Sequence, residues 1–328
     1  MHSHHFALPH GYSGEVPRPE RQLIARLRSL SRAASGAHRT IVTGIGDDCA
    51  VLQPPPGEEL LVTTDFSLEG VHFRREWHPP ESVGHRCLTR GLSDIASMGG
   101  TPLACFLSLA MPKELPQAWV DRFMKGLLRL AGQHKVALAG GDTAQSPAGV
   151  LADIMVIGSV PKGKAVLRSG AKPGDKIYVT GILGAGGATV RRLYAGEKVR
   201  PVSVPHYFLS QPRINLGLQL RHIASSMIDI SDGLSTDLSH ICEESAVGAV
   251  LYSTQVPIAD NATLDDALYG GDDYELLFTS PKHVPREIAG VAITEIGEVV
   301  RREGMWIQDQ KARTRRLKAK GWEHFNDS

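Results

Sequence analysis

The sequence predicts an α/β fold arranged as two domains. Three observations carry this expectation: a length of 328 residues, short β-type apolar runs alternating with amphipathic helical patterns in both halves, and a Lys-, Gly- and Pro-rich stretch between the halves. Residues 1–17 read as a flexible tail, in which His2, His4, His5 and His10 are solvated more readily than they bind metal. Leu23, Ile24, Leu27 and Leu30 then recur at helical spacing just after Pro19, which suits the first turn of an amphipathic helix. β-type runs follow at 50–52 and 59–64, and Val83, Cys87, Leu88, Leu92 and Ile95 share one helical face. A strand at 103–110 precedes a helix carrying Trp119, Phe123, Leu127 and Leu130, and the apolar run 136–139 leads into Gly140, Gly141 and Asp142. After a strand at 154–160, the stretch 161–175 reads as an exposed crossing, so the domains are expected at 18–160 and 161–328. The second half predicts strands at 176–180 and 227–230 and helices at 188–194 and 214–222. The alternation then continues to Phe278.

Composition narrows the function classes. Lys and Arg number 36 against 35 Asp and Glu, a formal charge of +1, so no overall basic field gathers nucleic acid or anionic lipid and phosphate binding must be local. The four cysteines, Cys49, Cys87, Cys105 and Cys242, form no C-x-x-C pair and read as reduced thiols of a cytoplasmic protein. No apolar run approaches the roughly 20 residues that span a bilayer, and the His-rich start lacks the apolar core of a signal peptide.

Chemistry emerges where carboxylates meet the ends of apolar runs. Asp47 and Asp48 follow Gly44-Ile45-Gly46, Asp65 follows residues 60–64, Asp142 follows 137–141, and Asp229 and Asp232 bracket Ile230-Ser231. A single Asp beside Gly is usually a turn or cap residue. Repetition at these run ends argues instead for convergence on hard cations, because clustered carboxylates repel one another unless neutralised; with phosphates as further ligands the ion expected is magnesium. Two nucleotide motifs fail on inspection. Gly158 to Lys164 has the glycine and lysine spacing of a Walker A loop, but Ala165 lacks the hydroxyl that would reach a metal. Gly181, Gly184, Gly186 and Gly187 lie between a strand and a helix, yet Thr189 stands where a dinucleotide fingerprint needs its third glycine; a plain turn is expected there, with a phosphate-facing helix start as the alternative.

The strings Gly44-Ile-Gly-Asp-Asp48, Thr63-Thr-Asp-Phe-Ser-Leu-Glu-Gly-Val-His-Phe73, Leu92-Ser-Asp-Ile-Ala-Ser-Met-Gly99, Gly140-Gly-Asp-Thr143, Arg168-Ser-Gly-Ala-Lys-Pro-Gly-Asp175, Ile228-Asp-Ile-Ser-Asp-Gly-Leu234 and Gly270-Gly-Asp-Asp-Tyr-Glu-Leu276 closely resemble the thiamine-monophosphate kinase family in order and spacing. That family belongs to the ATP-binding superfamily of aminoimidazole ribonucleotide synthetase and selenophosphate synthetase, and the likeness runs from about Arg21 to Phe325. It implies an N-terminal α/β domain contributing strands to a barrel at a homodimer interface, a C-terminal α/β domain, and ATP lying between the two.

Residue by residue, the resemblance implies that Asp48, Thr63, Thr64, Asp65, Asp94, Asp142, Asp229 and Asp232 ligate several magnesium ions, with Asp65, Asp142 and Asp232 the carboxylates on which catalysis depends. Asp94 is promoted by the resemblance alone, since periodicity places it on the polar side of a helix end. Gly141, Asp142, Arg168 and Ser231 would contact ATP, a guanidinium fork matching phosphate geometry. His72, Asp272 and Trp322 would hold thiamine monophosphate, the indole being suited to stack on a flat cationic ring; read alone, Trp322 would pass as a packing residue. Two departures stand out: Asp272 replaces the family's usual Glu and shortens its reach by one methylene, and Phe66-Ser67-Leu68 differs at the rim of the acceptor pocket.

The implied reaction is ATP-dependent phosphorylation of thiamine monophosphate to thiamine diphosphate. A phosphate monoester has a second pKa near ~6, so the acceptor is already a nucleophile at neutral pH, and no general base or phosphoenzyme is needed. The alternatives are a ligase or cyclase of the same superfamily that phosphorylates an amide oxygen, and a non-catalytic ATP-binding protein on this fold.

Overall fold

The computed structural model describes residues 20–35 and 40–325. The expected tail 1–17, its histidines and Pro19 lie outside the described residues. The elements are α1 (Glu20–Ser35), β1 (Ile41–Thr43), β2 (Val51–Leu52), β3 (Glu58–Leu68), α2 (Pro80–Ser97), β4 (Thr101–Met111), α3 (Gln117–Gln133), β5 (Ala137–Gln145) and β6 (Leu151–Pro161), then β7 (Lys176–Thr180), α4 (Ala185–Tyr194), α5 (Pro205–Phe208), α6 (Ile214–Leu220) and β8 (Ser226–Asp229). α7 (Leu234–Ser245), β9 (Gly248–Tyr252), α8 (Leu264–Tyr269), β10 (Leu276–Ser280), β11 (Glu287–Ile288), β12 (Val291–Val300), β13 (Gly304–Gln308) and β14 (Thr314–Leu317) complete the chain.

These elements gather into two compact units. The first holds the described residues up to Gln53 with Thr64–Leu88 and Ala104–Met155; the second holds Pro54–Thr63, Thr89–Leu103 and the described chain from Val156. The four-stranded sheet has the order β3-β6-β4-β5, and β4 runs parallel to β5 with Leu107 opposite Gly141 and Ser108 opposite Asp142. Within the first unit, the helical spacing of α3 buries Trp119, Phe123, Leu127 and Leu130, and the rings of Trp119 and Phe123 stack 5.6 Å apart. α1 is tied to α3 by a fork of Arg26 on Asp121 with both bonds at 2.7 Å.

The second unit is built on an eight-stranded sheet with the path β14-β13-β9-β12-β7-β10-β8, β11 flanking β12. Its pairings are antiparallel except for β9 with β13. α7 lays Leu234, Leu238 and Ile241 into the core that also holds Ile177, Val179, Ile228 and Leu277, all nearly inaccessible to solvent. Burial of each such side chain contributes about 1.5–3 kcal/mol.

Two strands extend beyond the runs read from sequence. β3 continues past residue 64 to Leu68 and β5 continues past 139 to Gln145, so Asp65 and Asp142 sit inside strands and not at their ends. The reason lies in pairing: in β5, hydrogen bonding to β4 carries the strand through two glycines that lack any apolar signal.

Candidate active site

In the first unit, the segment joining β1 and β2 faces the middle of β4 and β5 across a cavity of about 540 Å³. Its floor is apolar, with Leu27, Phe106 and Leu138, and its carboxylates are Asp47, Asp48 and Asp142. All three are exposed. Asp47 Oδ1 accepts from the Asp48 amide at 3.0 Å, and Asp142 Oδ1 accepts from the Thr143 amide at 2.8 Å. Two predicted ligands, Asp48 and Asp142, thus line one cavity. Gly141 has φ 146°, and a Cβ there would lie 1.9 Å from the Leu107 carbonyl oxygen, so the β4–β5 pairing itself demands glycine.

Along β3, Thr63 and Asp65 fall on the more buried face and Thr64 on the exposed one, as strand alternation requires. Thr63 Oγ1 donates to Asp94 Oδ2 on α2, which joins two predicted ligands directly. Asp94 is half-buried there, not fully solvated as periodicity allowed. His72 closes the turn after β3, where its Nδ1 accepts from the Leu68 amide at 3.0 Å.

In the second unit, the turn before β10 carries Asp272, Asp273 and Glu275. Asp272 and Tyr274 both occupy the left-handed region, with φ 67° and 52°, which L-residues adopt only at a cost. The turn is held because the Asp272 amide donates to the Ser231 carbonyl and the Tyr274 amide to the Ile230 carbonyl, each at 2.9 Å. The Trp322 amide donates to the Asp232 carbonyl at 3.0 Å. Ser231, Asp232, Asp272 and Trp322 are therefore brought together by the backbone. Trp322 is 53% exposed, so its ring is available to stack and is not the packing residue that its position alone suggested.

Burial pushes the Asp232 carboxyl up, and the charge of Asp272 adds to that rise while His240, Arg90 and His324 oppose it. Asp237, in the first turn of α7, is pushed well up by burial and then by the charges of Asp229 and Asp232. The charges of Asp229 and Asp232 thus act on Asp237, so these three carboxylates repel one another. Carboxylate oxygens suit magnesium in their chemistry, and a cation nearby would lessen that repulsion. Among the described residues, no three carboxylate, histidine or cysteine side chains are arranged as a ready metal cage.

Three carboxylates that sequence reasoning passed over have structural partners. Asp273 accepts from the amides of Gly184 at 2.8 Å and Gly186 at 3.3 Å, so the start of α4 is capped by the chain's own carboxylate. The glycine-rich segment is a turn into α4, and two amides at that helix start are occupied by Asp273, which favours the plain-turn reading over the phosphate-facing one. Gly186 is required by contact, since a Cβ would lie 2.0 Å from the Gly271 carbonyl oxygen. Glu275 is forked by Arg213 and accepts from Thr180 Oγ1 at 2.5 Å. Asp237 accepts from the amides of Asp232 and Gly233 at 3.3 and 3.1 Å. Asp273 and Glu275 belong to the Gly270–Leu276 string, so the signal was present; Arg90 and Arg213 are lone helix-associated cations that nothing in the sequence singles out.

Arg168 is exposed, and its carbonyl accepts from Ser245 Oγ at 3.1 Å at the C-terminal end of α7. Ser231 lies just before the opposite end of that 12-residue helix, about 15–18 Å along its axis, so the backbones of these two predicted ATP contacts are well apart. Gly158 lies within β6, and a turn at 161–164 follows it with no helix, which is not the architecture of a phosphate-binding loop.

The family description "AIR synthase related protein, N-terminal domain" matches residues 46–160, and "AIR synthase related protein, C-terminal domain" matches 172–309. The chain is similar to thiamine-monophosphate kinase of Salmonella typhimurium, 38% identical over 291 residues that cover 85% of this chain and 87% of the relative. It also resembles the crystal structure of thiamine-monophosphate kinase from Stenotrophomonas maltophilia, with a TM-score of 0.78 and 34% identity over 89% of this chain and 97% of that one. A further solved structure, AaThiL complexed with AMPPCP and TMP, has a TM-score of 0.74 and 30% identity over 83% of this chain and 89% of that one.

Proposed function

The chain belongs to the thiamine-monophosphate kinase family of the AIR synthase related proteins, and from that premise we propose that it transfers the γ-phosphate of ATP to thiamine monophosphate, giving ADP and thiamine diphosphate. The observation that carries this reading is the gathering of Ser231, Asp232, Asp272 and Trp322 on one pair of hydrogen-bonded turns, within a chain whose solved relative is complexed with AMPPCP and TMP. An acceptor phosphate oxygen attacks the γ-phosphorus, the bond from that phosphorus to the β–γ bridging oxygen breaks, and ADP leaves with the electron pair. The acceptor is already deprotonated at neutral pH, so the chain has no proton to remove.

Asp272 and the exposed ring of Trp322, with His72, bind the acceptor at its cationic ring, while Gly141, Asp142, Arg168 and Ser231 bind ATP. Asp48, Thr63, Thr64, Asp65, Asp94, Asp142, Asp229 and Asp232 would hold magnesium, with Asp65, Asp142 and Asp232 foremost. Magnesium, when bound, supplies positive charge that offsets repulsion between the donor and acceptor phosphates. The oxygen-only donors support that ion.

We place the domains at 18–160 and 161–328. A homodimer is part of the same proposal: β3 lies at the edge of its sheet and exposes Leu60, Val62 and Phe66 by 49%, 61% and 55% on one face, apolar surface that pairing with a second copy would cover. A cytoplasmic location accords with four cysteines that form no disulfide among the described residues. The decisive assay follows ADP release with ATP, magnesium and thiamine monophosphate, and identifies thiamine diphosphate by chromatography. Product formation is expected; ADP formed instead with an amide acceptor would assign the chain to the ligases and cyclases of the superfamily.

A further inference from the structure

The acceptor carboxylate is itself held. Tyr274 Oη donates to Asp272 Oδ1 at 2.8 Å, and Arg90 Nη2 donates to the same oxygen at 3.1 Å. Arg90 lies near the C-terminal half of α2 and places its guanidinium carbon 5.8 Å from the centre of the Tyr274 ring. Tyr274 is 2% exposed, and the side chains of Arg90 and Asp272 are 13% and 23% exposed, so these contacts form in a poorly hydrated setting where charged hydrogen bonds are directional and strong. The backbone adds its own constraint, because Asp272 and Tyr274 both have positive φ and their amides are fixed to Ser231 and Ile230.

We propose that Arg90 and Tyr274 are positioning residues that fix the Asp272 carboxylate for the acceptor's cationic ring, and so set acceptor affinity without touching the donor nucleotide. The proposal rests on the reading of Asp272 as an acceptor contact. Its physical basis is the shortness of Asp: with one methylene fewer than Glu, the side chain has little freedom to find its ligand, and two donors on one oxygen define where the carboxylate points. The pairing also leaves a net charge near zero on the Arg90–Asp272 couple, which lets an acceptor carrying a cationic ring and an anionic phosphate approach without a dominant repulsion.

The test is steady-state kinetics on the full chain with magnesium and ATP, comparing wild type with Tyr274→Phe, Arg90→Lys, Asp272→Asn and the double variant Tyr274→Phe/Asp272→Asn. Tyr274→Phe keeps the ring in place and Arg90→Lys keeps the charge, so both are expected to fold. Each should raise the KM for thiamine monophosphate roughly ten-fold, with much smaller changes in kcat and in the KM for ATP. In the Asp272→Asn background, Tyr274→Phe should add less than about two-fold, because the group that it positions is already lost. Multiplicative effects in the double variant, or losses that fall on kcat and the ATP KM instead, would overturn the positioning role while leaving the kinase reading intact. A wild-type enzyme that makes no thiamine diphosphate would overturn both.

Discussion

The two units treat their carboxylates in opposite ways. In the first, Asp47, Asp48 and Asp142 stand exposed at the rim of a cavity, and the bonds given to Asp47 and Asp142 come from the next residue's amide. In the second, Asp237, Asp273 and Glu275 are buried, and each is held by partners distant in sequence or by helix-start amides. Water solvates the first group, so the fold loses little without it; the second group would be costly to bury unless its partners were built in. An acidic motif can therefore serve ligand or fold, and the partners that the fold builds around each carboxylate distinguish these two groups.

Three variants would break or sharpen this contrast. The largest effect is expected at Glu275, whose side chain is 5% exposed and forked by Arg213, itself 19% exposed. Glu275→Ala would strand a part-buried guanidinium and is expected to destabilise the protein by about 3–5 kcal/mol in urea denaturation. A loss under about 1 kcal/mol would place Glu275 with the dispensable carboxylates.

Asp142→Asn should do the reverse. Turnover is expected to fall roughly a hundred-fold while the thermal midpoint stays at the wild-type value, because an exposed carboxylate contributes to the site and not to the core. Wild-type activity in that variant would remove Asp142 from the catalytic group.

The smallest effect is a change of slope with pH. Burial pushes the Asp273 carboxyl from 3.8 up to about 8, helped by the charges of Glu275 and Asp272 and opposed by the amides of Gly184 and Gly186. The folded protein then keeps a proton that the unfolded chain releases, so this contribution is complete below about pH 4 and is lost as pH rises towards about 8. Asp273→Asn carries no charge at any pH, and its stability should decline less than that of wild type between about pH 5 and 8 in pH-dependent denaturation. Parallel profiles for the two proteins would show that Asp273 is ionised throughout.

Sequence by itself determined the family and the α/β class, because these are written in local order: apolar periodicity sets α3 and β7, and seven short strings fix the register of the acidic residues. It also marked Ser231, Asp232, Asp272 and Trp322 one by one. Only the tertiary structure decided that these four meet through backbone hydrogen bonds, that β5 runs on through Gly140 and Gly141, that Asp273 occupies the start of α4, and that Arg90 and Tyr274 share one oxygen of Asp272. Such partners are chosen by contacts between residues far apart in the chain, Arg90 and Asp272 being 182 positions apart, and a pattern of neighbours carries no term for a distance that only folding closes.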